Sequence, residues 1–151
     1  MDIFYKILLG LAAAFAVYWI FKTKKVIPAL ISLGMIVGIV MVIFPSLALL
    51  MPGFYIYMGF VAIAFVYGLT VKSKNFGERL VICLMSAGIF IYWLWVLNHF
   101  HGNELLAVIL VILTALIGLI SKAKLKNETG FLAILLVDAV AIILEIMIRS
   151  I

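Results

Sequence analysis

Apolar residues run in six long stretches, at positions 4–21, 26–44, 53–71, 80–97, 105–120 and 131–148, and polar residues cluster in the short breaks between them. A hydrocarbon core about 30 Å thick asks for roughly 20 consecutive apolar residues per helix. Transmembrane β-strands would instead alternate apolar and polar over segments of roughly ten residues. These stretches are continuous and rich in Leu, Ile and Ala, and in lipid a helix satisfies its own backbone groups. The pattern predicts an all-α, polytopic integral membrane protein with six transmembrane helices arranged as three helical hairpins. Residues 1–151 then form a single transmembrane domain.

The breaks differ in chemistry. Lys22, Thr23, Lys24 and Lys25 close the first stretch, and Pro28 suits the first turn of the second helix, where a missing N–H costs little. The second break, 45–52, reads PSLALLMP and holds no charge, so a turn bracketed by Pro45 and Pro52 is expected to dip into the interface. Residues 72–79, 98–104 and 122–128 form the remaining three.

Composition sharpens this picture. Of 151 residues 69% are apolar and 11% charged, with a mean hydropathy of +1.42, more apolar surface than a soluble domain of this length can hide. Nine of the 11 Lys and Arg residues fall in the first, third and fifth breaks, leaving only Lys6 and Arg149 at the other ends. By the positive-inside rule both termini face outward, and three basic turns lie in the cytoplasm. The net charge of +5 is then a consequence of topology and of contact with anionic headgroups, and no nucleic-acid partner is expected. Tyr5, Tyr55, Tyr57, Tyr92, Trp93 and Trp95 fall near the outer ends and Tyr18, Trp19 and Tyr67 near the inner ends, as aromatic belts require.

A regular interval joins the hairpins. Lys22-Thr23-Lys24, Lys72-Ser73-Lys74 and Lys122-Ala123-Lys124 recur 50 residues apart. Phe4-Tyr5 and Phe54-Tyr55 share that interval, as do Gly38 and Gly88, with Asp138 at the third position. Equal hairpins account for the basic turns, and triplication of an ancestor would account for the matched residues as well. The first apolar run lacks a basic segment before it and ends in lysines like a spanning helix, so a cleaved signal is not expected. Cys83, the single cysteine, reads as packing.

Candidate chemistry is sparse. Asp138 lies near the middle of the last stretch, and Glu145 follows seven residues on, which places both carboxylates on one helical face. An acid at the bilayer centre costs roughly 2.5–3.5 kcal/mol on insertion scales, so Asp138 should face protein or a hydrated cavity. It either handles a proton or cation or makes a structural bond to another helix. Glu145 has an ion-pair partner in Arg149 at i+4 and a second candidate in Lys6. His99 and His101 beside Glu104 form a weak metal candidate, since a catalytic zinc site wants three well-placed protein ligands. Gly34 and Gly38 form a Gly-x-x-x-Gly face suited to close helix packing or to a partner interface. Ser32, Ser86 and Thr114 are expected to hydrogen-bond within or between helices.

Phosphate-binding loops, Ser-His-Asp sets and zinc-protease helices have no counterpart in the sequence. No enzyme activity, cofactor or bound metal is expected. The reading that follows is a non-catalytic accessory or assembly subunit of a larger complex in a bacterial inner membrane. Its partners would be the lipid bilayer and other integral membrane proteins or further copies of itself. The alternative is a small ion-coupled transporter, or a proton or cation pathway, that uses Asp138.

Overall fold

The computed structural model describes residues 3–44, 46–100 and 102–151. Six helices make up nearly all of it: α1 (Ile3–Ile20), α2 (Val26–Ile43), α3 (Leu47–Thr70), α4 (Phe76–Leu97), α5 (Leu105–Ile120) and α6 (Thr129–Ser150). No strand occurs among the described residues. All but α5 are long and apolar enough to cross a membrane. At 16 residues, α5 spans about 24 Å.

Two helices start a turn or more earlier than the apolar pattern predicts. α3 begins at Leu47, not at residue 53, so Pro52 lies inside the helix and the expected uncharged turn is itself helical. Pro52 forfeits the bond its N–H would have made to the Ala48 carbonyl one turn back, and its ring crowds that carbonyl; Pro45 lies outside the described residues. α4 begins at Phe76 because a capping box closes its first turn. The Glu78 N–H donates to Asn75 Oδ1 at 2.8 Å, and the Asn75 N–H donates to Glu78 Oε2 at 3.3 Å. Two helices, α4 and α5, end on a left-handed residue that is not glycine. His99 (φ 53°) and Lys122 (φ 50°) are left-handed. The N–H groups of Phe100 and Ala123 reach back to Trp95 O and Gly118 O, and those of His99 and Lys122 to Val96 O and Leu119 O. This is the paired 6→1 and 5→2 bonding of a Schellman motif.

Neighbours in sequence are neighbours in space, and α1 also packs on α6, so the six helices close into a ring. α6 additionally touches α2 and α4 and is the most connected helix. Small residues allow the close crossings. Gly38 and Gly53 face each other: a Cβ on Gly38 would stand 2.8 Å from Tyr57 N and 2.9 Å from Gly53 O. Gly34 seats the Phe60 ring, and Gly88 lies against Ala107 O and Val111 of α5. The Gly34–Gly38 face is therefore covered by α3 of the same chain and is not open to a partner. Ala12, Ala13 and Ala16 are the buried small residues of α1. Large apolar side chains such as Leu33, Val37, Leu113 and Ile117 point outward, the arrangement expected where lipid is the solvent.

The three basic breaks meet at one end of the ring. Lys25 Nζ donates to Ser73 Oγ at 2.6 Å, and the Lys24 N–H to Asn127 Oδ1 at 3.1 Å. The Lys124 N–H donates to Glu78 Oε1 at 2.9 Å, and Lys74 Nζ to Lys124 O. Trp19 Nε1 donates to Lys126 O at 2.6 Å. Arg79 caps the end of α3 through the carbonyls of Gly68 and Leu69.

Candidate functional site

Asp138 is fully buried in α6 and accepts three hydrogen bonds from three other helices. Tyr5 Oη of α1 donates to Oδ1 at 2.5 Å. Tyr57 Oη of α3 and Trp93 Nε1 of α4 donate to Oδ2 at 2.8 and 2.9 Å. A buried polar group costs several kcal/mol unless it finds partners, and three donors supply them here. The rings are packed as well as bonded: Trp93 stands edge-on to Tyr5 at 6.3 Å and to Tyr92 at 5.3 Å, and Phe54 lies at 4.8 Å. A small void lined by the three donors Tyr5, Tyr57 and Trp93 together with apolar side chains, and not by Asp138 itself, measures about 10 Å³, at the lower limit for one water.

A second acid, Glu128, is in the sequence only the last residue of a polar break. It is fully buried just before α6. Tyr67 Oη of α3 donates to its Oε1 at 2.8 Å. Lys74 Nζ stands 3.2 Å from Oε2, with the two side chains 10% and 0% exposed. That contact is electrostatic, since its angles lie outside hydrogen-bond geometry. Tyr67 also meets Phe131 edge-on at 6.3 Å.

The two acids and the two tyrosines form matched rungs. Asp138 lies ten residues beyond Glu128, and Tyr57 lies ten residues before Tyr67, which is about 15 Å along each axis. Among the described residues no Cα of α3 comes within 8 Å of a Cα of α6. Long side chains therefore cross the middle of the ring and tie together two helices whose backbones do not touch.

The other candidates are placed apart from this pair of rungs. Glu145 is partly exposed and accepts from Arg149 Nη2 at 2.6 Å, as the i+4 spacing predicts. Lys6 makes no ion pair with it among the described residues. His99 terminates α4 in a left-handed conformation, and His101 lies outside the described residues. No group of three metal-ligating side chains occurs among the described residues. Ser32 and Thr114 bond back to Pro28 O (3.0 Å) and Leu110 O (2.7 Å) on their own helices. Ser86 Oγ, also buried, has no partner among the described residues. Cys83 packs on α3, with Sγ 3.7 Å from Phe65 O.

The donors to Asp138 are what the sequence reading missed. Tyr5, Tyr57 and Trp93 read as interfacial aromatics, but they face the centre of the ring. The equal ten-residue spacing of Tyr57–Tyr67 and Glu128–Asp138 was the available signal. No family model matches the chain, and no match was found among curated proteins or among solved structures.

Proposed function

We propose that this protein is a non-catalytic accessory or assembly subunit of a larger membrane complex. Its helices pair as three hairpins, the basic end faces the cytoplasm, and both termini face outward across a bacterial inner membrane. One observation carries the reading: Asp138, the acid in the centre of the last helix, is wholly engaged in bonds from α1, α3 and α4. A carboxyl held in this way fixes helix positions. A carrier of protons or cations needs its carboxyl to exchange partners during turnover. The convergence of Lys25, Lys74 and Lys124 on one end supports the orientation through the positive-inside rule.

Its partner is another integral membrane protein or a second copy of the chain. Association in lipid rests on shape, small residues and scattered polar contacts. Purification from native membranes in mild detergent tests the proposal. The expected result is a stoichiometric membrane-protein partner or a defined homo-oligomer, retained by Asp138→Asn. A monomer that alone moves a solute across proteoliposomes, and loses that activity in Asp138→Asn, would establish the transporter instead. A C-terminal reporter fusion tests orientation; a cytoplasmic signal from the full-length fusion would overturn it.

A further inference from the structure

At the basic end, α5 and α6 separate and leave a groove of about 690 Å³, within the size range of small-molecule sites. Val81 and Met85 of α4 form its floor. Small residues open it: Ala115 and Gly118 on α5, and Ala133 on α6. Along α6 it runs from Thr129 to Leu136, about 10 Å of rise, so most of one leaflet's roughly 15 Å of hydrocarbon. Its walls are apolar except at the mouth, where Trp19, Lys124 and Lys126 stand.

Charge at that mouth is uncompensated. Lys124 and Lys126 are exposed, and neither ammonium group makes an ion pair among the described residues. The nearby acids are committed elsewhere. Glu78 accepts from the backbone of Asn75 and Lys124, and Glu128 takes Tyr67 and Lys74. An apolar slot most of one leaflet deep, with two cations that make no ion pair among the described residues at its interfacial end, is complementary to an acyl chain under an anionic headgroup.

We propose that this groove holds one acyl chain of an anionic phospholipid from the basic-side leaflet, with its headgroup phosphate on Lys124 and Lys126. The inference rests on the membrane reading above. The two lysines supply headgroup selectivity, and the alanines and Gly118 supply room for the chain.

Native mass spectrometry of the purified full chain, released from nanodiscs of equal parts phosphatidylglycerol and phosphatidylcholine, tests it. The wild type should retain one phosphatidylglycerol, preferred about tenfold over phosphatidylcholine. Lys124→Gln with Lys126→Gln alters only exposed side chains; it should keep the fold and abolish the preference. Ala133→Phe should fill the groove and lose both lipids. Ala115→Leu gives the same reading if Ala133→Phe does not fold. Equal retention of the two lipids by the wild type, or a preference that survives the lysine variant, overturns the proposal. Alkaline extraction of the source membranes separates the two claims. A chain released by alkali refutes the membrane reading itself, whereas an embedded chain without the retained lipid refutes only this inference.

Discussion

The Asp138 rung and the Glu128 rung use one device in two settings. In each, a tyrosine of α3 crosses the ring to an acid borne by or adjoining α6. At Asp138 the other partners are a second phenol and an indole, all neutral, packed against one another in the apolar interior. At Glu128 the other partner is a cation, Lys74, which also holds the carbonyl of Lys124 in the neighbouring basic turn. Far from water, the carboxyl is served by rigid aromatic donors that lose little side-chain freedom. Near the bundle end, a flexible lysine does two jobs and ties a turn to a helix. The comparison teaches that position along α6 selects the kind of donor, while the crossing from α3 stays the same.

The largest expected effect comes from removing the central acceptor. Asp138→Leu leaves three buried donors without a partner, at about 1–3 kcal/mol each before relaxation. Stability in lipid should fall by on the order of 3 kcal/mol, and abundance should fall with it. Asp138→Asn keeps an oxygen for Tyr57 and Trp93 and offers its amide to the Tyr5 hydroxyl, which can accept. Thermal unfolding of the pair should show the Asn variant close to wild type and the Leu variant far below. Equal loss in both would mean that the negative charge, and not the hydrogen bonding, is what the site requires.

Gly38→Ala comes next. The added Cβ meets backbone atoms of Tyr57 and Gly53, which cannot rotate away, and overpacking of this kind costs typically about 1–3 kcal/mol. It should separate α2 from α3 and weaken the Tyr57 bond to Asp138. Gly59→Ala, with open space at its Cβ, is the control and should be neutral in the same unfolding assay.

At the other rung, Lys74→Met strands the Glu128 carboxylate. Breaking a buried pair by removing one partner costs about 3–5 kcal/mol when both are fully enclosed; with Lys74 10% exposed, about 2 kcal/mol is expected. Lys74→Met with Glu128→Gln should recover most of it, because no unpaired charge remains. No recovery in the double variant would show that Lys74 acts mainly through the Lys124 carbonyl.

The smallest effect concerns a helix end. Lys122 is left-handed without being glycine, a conformation that costs an L-residue roughly 1–2 kcal/mol. Part of that gain is offset by glycine's greater unfolded-state freedom. Lys122→Gly should raise the unfolding temperature slightly, and a lowered temperature would show that the lysine side chain contributes more than its backbone strain removes.

The helices were legible because lipid-compatible runs are bounded by lysines and by short polar breaks, and α5 matches its predicted limits of 105–120. The misreadings have local causes. Proline reads as a boundary, yet Pro52 is accommodated near the start of α3. The Asn75–Glu78 box extends α4 outward into residues that look like a loop. Asp138 stood out because acids are rare in apolar stretches, but its partners did not. A tyrosine or tryptophan suits an interface and a buried carboxyl equally well, and which applies depends on where the helices stand around the ring. The 50-residue interval also relates Glu78 to Glu128 and Gly68 to Gly118. Each of the two acids meets another basic turn, Glu78 through a hydrogen bond from the Lys124 N–H and Glu128 through its ion pair with Lys74, but Gly68 faces Cys83 and Gly118 faces Val81, both on α4.

The central claim is that side chains crossing the ring, and Asp138 above all, hold together helices that do not touch. Unfolding of Tyr57→Phe, in wild-type and in Asp138→Leu backgrounds, measures that crossing directly in bicelles. The account predicts that Tyr57→Phe costs about 1 kcal/mol in the wild type, within the range found for hydrogen bonds in membranes, and almost nothing once Asp138 is gone. An equal cost in both backgrounds would mean that the Tyr57 hydroxyl and Asp138 act independently, and would contradict it.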